Sequence, residues 1–190
     1  MSKSHTDASR KERSRTIRWI ISVFLVTIVV SGLISLISDE VMAGSSLAVA
    51  FAILMGIVLL GILFDIIGMA VATASEKPFH SMAAKKVPGA QEAIRLLRNA
   101  ERVSSICNDV VGDICGVVSG SASATIAALI LTHVDTRWPR AVSLIMSALV
   151  AGLTVGGKAI GKGFAVNSCT EIVHTVGRIL HAFSRFGKKK

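Results

Sequence analysis

The chain has no tyrosine, three prolines and few aromatics of any kind, 5% over 190 residues. Charge is scarce as well: 17% of residues are charged, against about 25% in soluble domains. Acids are fewer than bases, 12 against 21. Low charge combined with 52% hydrophobic residues and a mean hydropathy of +0.64 excludes intrinsic disorder, which needs the opposite balance. Cys107, Cys115 and Cys169 are odd in number and lack paired metal spacing, which excludes a disulfide framework. They read as reduced, small packing residues. No nucleophile–base pair, phosphate loop or HExxH motif occurs, so no enzymatic activity is expected.

What is present is apolar residues in blocks. Residues 19–38 carry no charge, residues 41–75 are broken only by Asp65, and 114–134 and 141–157 are again uncharged. About 20 such residues span the ~30 Å hydrocarbon core. These runs predict an all-α integral membrane protein with four transmembrane helices. A cleaved leader is the alternative for the first block, but its apolar run exceeds the usual ~7–15 residues. An uncleaved helix is therefore expected. The segments are a basic tail at 1–18, a first helix at 19–38, a membrane core at 46–165 with juxtamembrane helices at 77–102, and an amphipathic basic helix and tail at 166–190.

Basic residues set the orientation. Six lie before residue 19, six between the second and third helices, and seven from Lys158 onward, whereas the other side holds only Arg137 and Arg140. Both termini are expected in the cytoplasm, most simply across a bacterial cytoplasmic membrane. The net charge of +9 and pI near 10.0 are explained by this asymmetry, so no nucleic-acid partner is expected. An anionic inner leaflet is the expected partner of the basic segments.

Between the second and third helices, Ala93, Leu96, Leu97 and Ala100 recur at helical spacing, and Pro88-Gly89 marks a turn. One short helix is expected on each side of it. Near the carboxy terminus Ile172, Val173, Val176, Ile179, Leu180 and Phe183 form an apolar stripe. It predicts a helix lying on the membrane surface, with His174 and His181 as surface histidines. Glycines four apart, 112-116-120, 152-156 and 157-161, predict close packing of the third and fourth helices on each other or on a second subunit.

Ionisable residues inside spans are costly and mark candidate sites. Asp65, Asp109, Asp113 and Lys158 qualify. At 1.5 Å per residue, Asp65 and Lys158 fall about 28 and 26 Å from the outer surface, and Asp109 and Asp113 about 9 and 15 Å from the inner one. All four are thus expected to meet in the inner half of the bilayer. Asp109 and Asp113 are four apart on one face, with Asn108 beside them. Three carboxylates against one lysine would force protonation or recruit a cation, and carboxylate and amide oxygens suit a hard divalent one. A second reading stays open: Lys158 snorkels, Asp109 sits among headgroups, and one aspartate pairs structurally.

Pro88-Gly89-Ala90-Gln91-Glu92-Ala93-Ile94-Arg95-Leu96-Leu97-Arg98-Asn99-Ala100-Glu101-Arg102, then Ser104-Ser105-Ile106-Cys107-Asn108, is similar to the link into the second membrane helix of the CorC/CNNM family. Gly157-Lys158-Ala159-Ile160-Gly161-Lys162 resembles its G-E-x-L-P-K element, and Phe64-Asp65-Ile66-Ile67-Gly68-Met69-Ala70 stands where the family has F-S-x-S-E-T-A. The resemblance covers roughly residues 46–183.

The resemblance implies a dimeric transmembrane domain with a juxtamembrane helical belt and a cytoplasm-facing Mg²⁺ site. It implies ligand positions at Asp65, Asn108 and Gly157, with Asp109 and Asp113 as extra acids. The family's two glutamates are Gly68 and Lys158 here, and its Pro is Gly161. Lys158 is therefore a candidate tethered cation in the ion's place, in which case the chain would be a non-transporting scaffold or accessory subunit. The family's CBS domains have no counterpart in the 28 residues after Lys162, so nucleotide control through them is not expected within this chain. The first helix is an addition to the family's three.

Overall fold

The computed structural model describes the backbone of residues 2–134 and 137–187, and within them all side chains except those of 2–16, 39, 43, 133 and 185–187. The basic side chains of Lys3, Arg10, Lys11, Arg13, Arg15, Arg185 and Lys188 to Lys190 lie outside the described residues, as do those of Asp39 and Asp135. The fold is all-α: α1 (Ser2–Ala43), α2 (Leu47–Thr73), α3 (Lys77–Ala84), α4 (Ala90–Arg98), α5 (Ala100–Ser105), a π segment (Ile106–Val111), α6 (Gly112–His133), α7 (Pro139–Asn167) and α8 (Cys169–Gly187). Four stretches are long and apolar enough to cross a membrane: Ile17–Met42, Leu47–Thr73, Ala100–Thr132 and Pro139–Asn167. Lipid offers backbone amides no partner, so apolar segments of this length are stable there only as helices.

Two apolar clusters hold the bundle. Towards the Leu47 end, Met42, Leu54, Val58, Ala122, Ile126 and Val150 bring α1, α2, α6 and α7 together. At the Thr73 end, Ala70, Val71, Phe79, Ala93, Leu97, Ala165 and Val173 seal a juxtamembrane layer of α3, α4 and α8 against α2 and α7. Large residues such as Phe24, Leu59, Leu144 and Ile160 remain 57–79% exposed on the outer faces, where lipid would meet them.

The glycine spacing works differently from the expectation. Gly157 and Gly161 of α7 form a notch for Ile62 and Ile66 of α2; a Cβ on Gly161 would lie 2.7 Å from Ile66 Cγ1, and one on Gly157 would strike Ile62 Cδ1. Their partner is thus α2, not α6. A Cβ at Gly116, Gly120, Gly152 or Gly156 would meet nothing within 4 Å. Gly116 and Gly120 instead line an open groove of about 390 Å³ between α6 and α7, with Ser147, Ala151 and Thr154 opposite.

The carboxy-terminal helix is also placed differently. Val173 and Gly177 are buried and Ile172 packs on the lower cluster, while Ile179, Leu180 and Phe183 are 51%, 41% and 72% exposed. Half of the apolar stripe therefore docks on the protein, and the other half is free. Docking depends on two glycines. Gly89, with φ +86°, ends the turn before α4, and its backbone touches that of α8: a Cβ there would lie 2.5 Å from Arg178 N. A Cβ on Gly177 would strike Gly89 O and lie 3.1 Å from Ala93 N.

Neither histidine of α8 is a simple surface residue. His174 Nε2 is buried with no hydrogen-bond partner, and His181 Nδ1 donates to Glu92 Oε1 at 3.0 Å. That hydrogen bond holds the Glu92 carboxyl below its ordinary range, against the opposing effect of burial. A lowered carboxylate contributes stability above its unfolded value of about 4.3 and loses it as pH falls through the folded value. Glu92→Gln should accordingly flatten the fall of melting temperature below about pH 4.3. At neutral pH it should cost no more than ~1 kcal/mol, because the pair is partly exposed.

Candidate functional site

The site forms where the π segment crosses α2. Gly112 N–H donates to Cys107 O, five residues back, so the helix is widened by a turn of π geometry, a feature frequent at functional sites. The widened turn carries Asn108 against α2 at Gly68. With no side chain at Gly68, the Asn108 amide lies directly on the α2 backbone; a Cβ there would strike Asn108 Oδ1. Asn108 Nδ2 donates to Ser104 Oγ at 3.3 Å, while Oδ1 is buried without a hydrogen bond.

One turn earlier on α2 stands Asp65. It is 3% exposed, and its Oδ2 likewise lacks a hydrogen-bond partner. Lys162 Nζ of α7 approaches this oxygen to 3.8 Å, an ion pair longer than a hydrogen bond. Lys158, one turn before Lys162, donates from Nζ to Gly112 O at 3.4 Å. The region thus holds two buried oxygens that lack a hydrogen bond and two ammonium groups, from three helices. Buried oxygens without partners cost about 1–3 kcal/mol each, so they need an explanation.

The structure divides the expected residues. Asp65 pairs with Lys162 of α7, Asn108 packs on α2 at Gly68 one turn further along, and Lys158 reaches Gly112 O at the end of the π segment. Gly157 is half-buried and taken up by Ile62. Asp109 and Asp113 are exposed; Asp109 accepts from Ser105 Oγ at 2.7 Å on its own helix. Among the described residues no group of three or more His, Cys, Asp or Glu could hold a metal ion, so the three aspartates do not converge. Asp109 lies in the π segment and Asp113 in the first turn of α6, so the regular α phase on which their alignment was expected is interrupted, and both side chains are exposed. The expected surplus of negative charge is absent from this contact, since the one buried carboxylate pairs with Lys162 while Lys158 rests on Gly112 O.

Along α2 from Leu47, Asp65 lies about 27 Å and Gly68 about 32 Å, with Asn108 packed level with Gly68. Lys162 was not singled out from the sequence, although its four-residue step from Lys158 puts both ammonium groups on one face. No family model, curated protein or solved structure matches the chain.

Proposed function

We propose that this chain is a membrane protein that binds a divalent cation, Mg²⁺ foremost, and takes part in its transport, as the resemblance to the CorC/CNNM transmembrane domain implies. The observation that carries the reading is two buried oxygens without a hydrogen bond, Asp65 Oδ2, met only by the 3.8 Å ion pair to Lys162, and Asn108 Oδ1, packed on α2 one turn further along. Carboxylate and amide oxygens suit a hard cation, and Mg²⁺ keeps several waters. Lys158 and Lys162 act as tethered competitors that the ion must displace, which lowers its affinity. The basic segments put this end of the bundle in the cytoplasm. The homodimer of the resemblance has a fitting face in the open groove lined by Gly116, Gly120 and Ala151.

A second reading has its own observation. Lys158 Nζ already rests on Gly112 O, so the lysine itself stands in for the ion and the chain is a scaffold or accessory subunit. Melting of the detergent-purified protein against MgCl₂ at matched ionic strength separates the two. A ligand at 100 times its Kd adds about 2.7 kcal/mol. A saturable rise in wild type that is lost in Asp65→Asn supports the ion site. A flat wild type with a responsive Lys158→Glu supports the scaffold, and no response in either removes the site.

A further inference from the structure

A second cleft lies away from Asp65, between α4, α5 and the free half of α8. Its volume is about 400 Å³, within the range of small-molecule sites. Leu96, Val103 and Leu180 give it apolar walls, and Arg95, Asn99 and Glu92 supply polar groups. Val103 belongs to the membrane-spanning stretch that begins at Ala100, whereas Arg95 precedes it, so the cleft runs from apolar to charged across the membrane boundary.

The charges in the cleft are unequal. Glu92 is engaged by His181 at 3.0 Å. The exposed Arg95 guanidinium has no ion-pair partner within 4 Å among the described residues. Residues 77–102 as a whole carry six bases and two acids. We infer that the cleft binds an anionic phospholipid, its phosphate on Arg95 and its acyl chain along Leu96, Val103 and Leu180. A zwitterionic lipid would bring its own cation to an already cationic segment, and a free phosphate would leave the apolar walls unused. Snorkelling arginines beside apolar grooves suit this mixed ligand.

The test uses the full chain in mild detergent with EDTA, melted against dioleoyl-phosphatidylglycerol, dioleoyl-phosphatidylcholine or inorganic phosphate. A saturable rise with phosphatidylglycerol alone is expected. Arg95→Gln should raise its half-saturating mole fraction about tenfold, as loss of one charge-assisted hydrogen bond implies. Leu180→Ser should weaken it too, and Lys77→Gln, the same charge change elsewhere on the layer, should not. An equal response to phosphatidylcholine or to inorganic phosphate overturns the proposal, as does equal weakening by Lys77→Gln and Arg95→Gln. Asp65→Asn should leave the lipid response intact whatever it does to Mg²⁺, so the two readings fail separately.

Discussion

Gly68→Ala should lower the melting temperature and abolish any response to Mg²⁺, and Asn108→Ala should restore much of the lost stability. A methyl at Gly68 would strike Asn108 Oδ1, lie 2.8 Å from its Cγ and 3.0 Å from Cys107 Cβ. Overpacking of this kind costs about 1–3 kcal/mol. The amide is the softer of the two obstacles, so removing it in the double variant relieves the larger part. Residues in contact couple by about 0.5–3 kcal/mol, which a double-mutant cycle reads directly. Asn108→Ala alone makes the sharper test. It deletes an unpartnered buried oxygen and one long bond to Ser104, so without Mg²⁺ it should be as stable as wild type. A large loss in Mg²⁺-free buffer would mean that the amide is structural.

The same substitution should have opposite signs at two other glycines. Gly163→Ala, on an exposed face of α7 with nothing within 4 Å of the new methyl, should stabilise by up to about 1 kcal/mol through helix propensity. Gly177→Ala should destabilise by about 3 kcal/mol, the upper end for overpacking. Its methyl would meet backbone on α4, which cannot rotate away as a side chain can. Undocking α8 would also expose Val173 and break the His181–Glu92 bond. Limited proteolysis of α8 beside a thermal melt would read both effects. A Gly177→Ala protein with wild-type protection would refute the backbone contact.

The spanning helices and both juxtamembrane helices were legible because their signals are local: uncharged length, a Pro-Gly turn and a 3.6-residue stripe. The site was legible only as types of residue. The sequence names Asp65 and Asn108, whose Oδ2 and Oδ1 the structure buries, and also Asp109 and Asp113, which it leaves exposed; the π segment that holds Asn108 and Asp109 leaves no periodic mark. Lys162 looked like one more boundary cation, since its approach to Asp65 depends on how α7 seats on α2. That seating depends in turn on Ile62 and Ile66 entering the Gly157 and Gly161 notch. The glycine spacing announced close contact correctly and could not name the partner helix. Likewise the stripe on α8 announced an amphipathic helix and could not say which half faces protein.

The apolar cluster of Leu54, Val58, Ala122, Ile126 and Val150 is, in electrical terms, an insulator. It lies between the Leu47 end and the polar groups at Asp65, and its side chains offer an ion no oxygen; the hydroxyls at this level, Ser147 and Thr154, line the groove beside Val150. Moving a bare charge into such a medium costs tens of kcal/mol by Born solvation. Under the proposed ion-binding reading, the barrier to the far side would therefore be set by packing around that cluster rather than by a charged gate. Passage of a cation would require α2 to part from α6 and α7 along the whole length of that cluster.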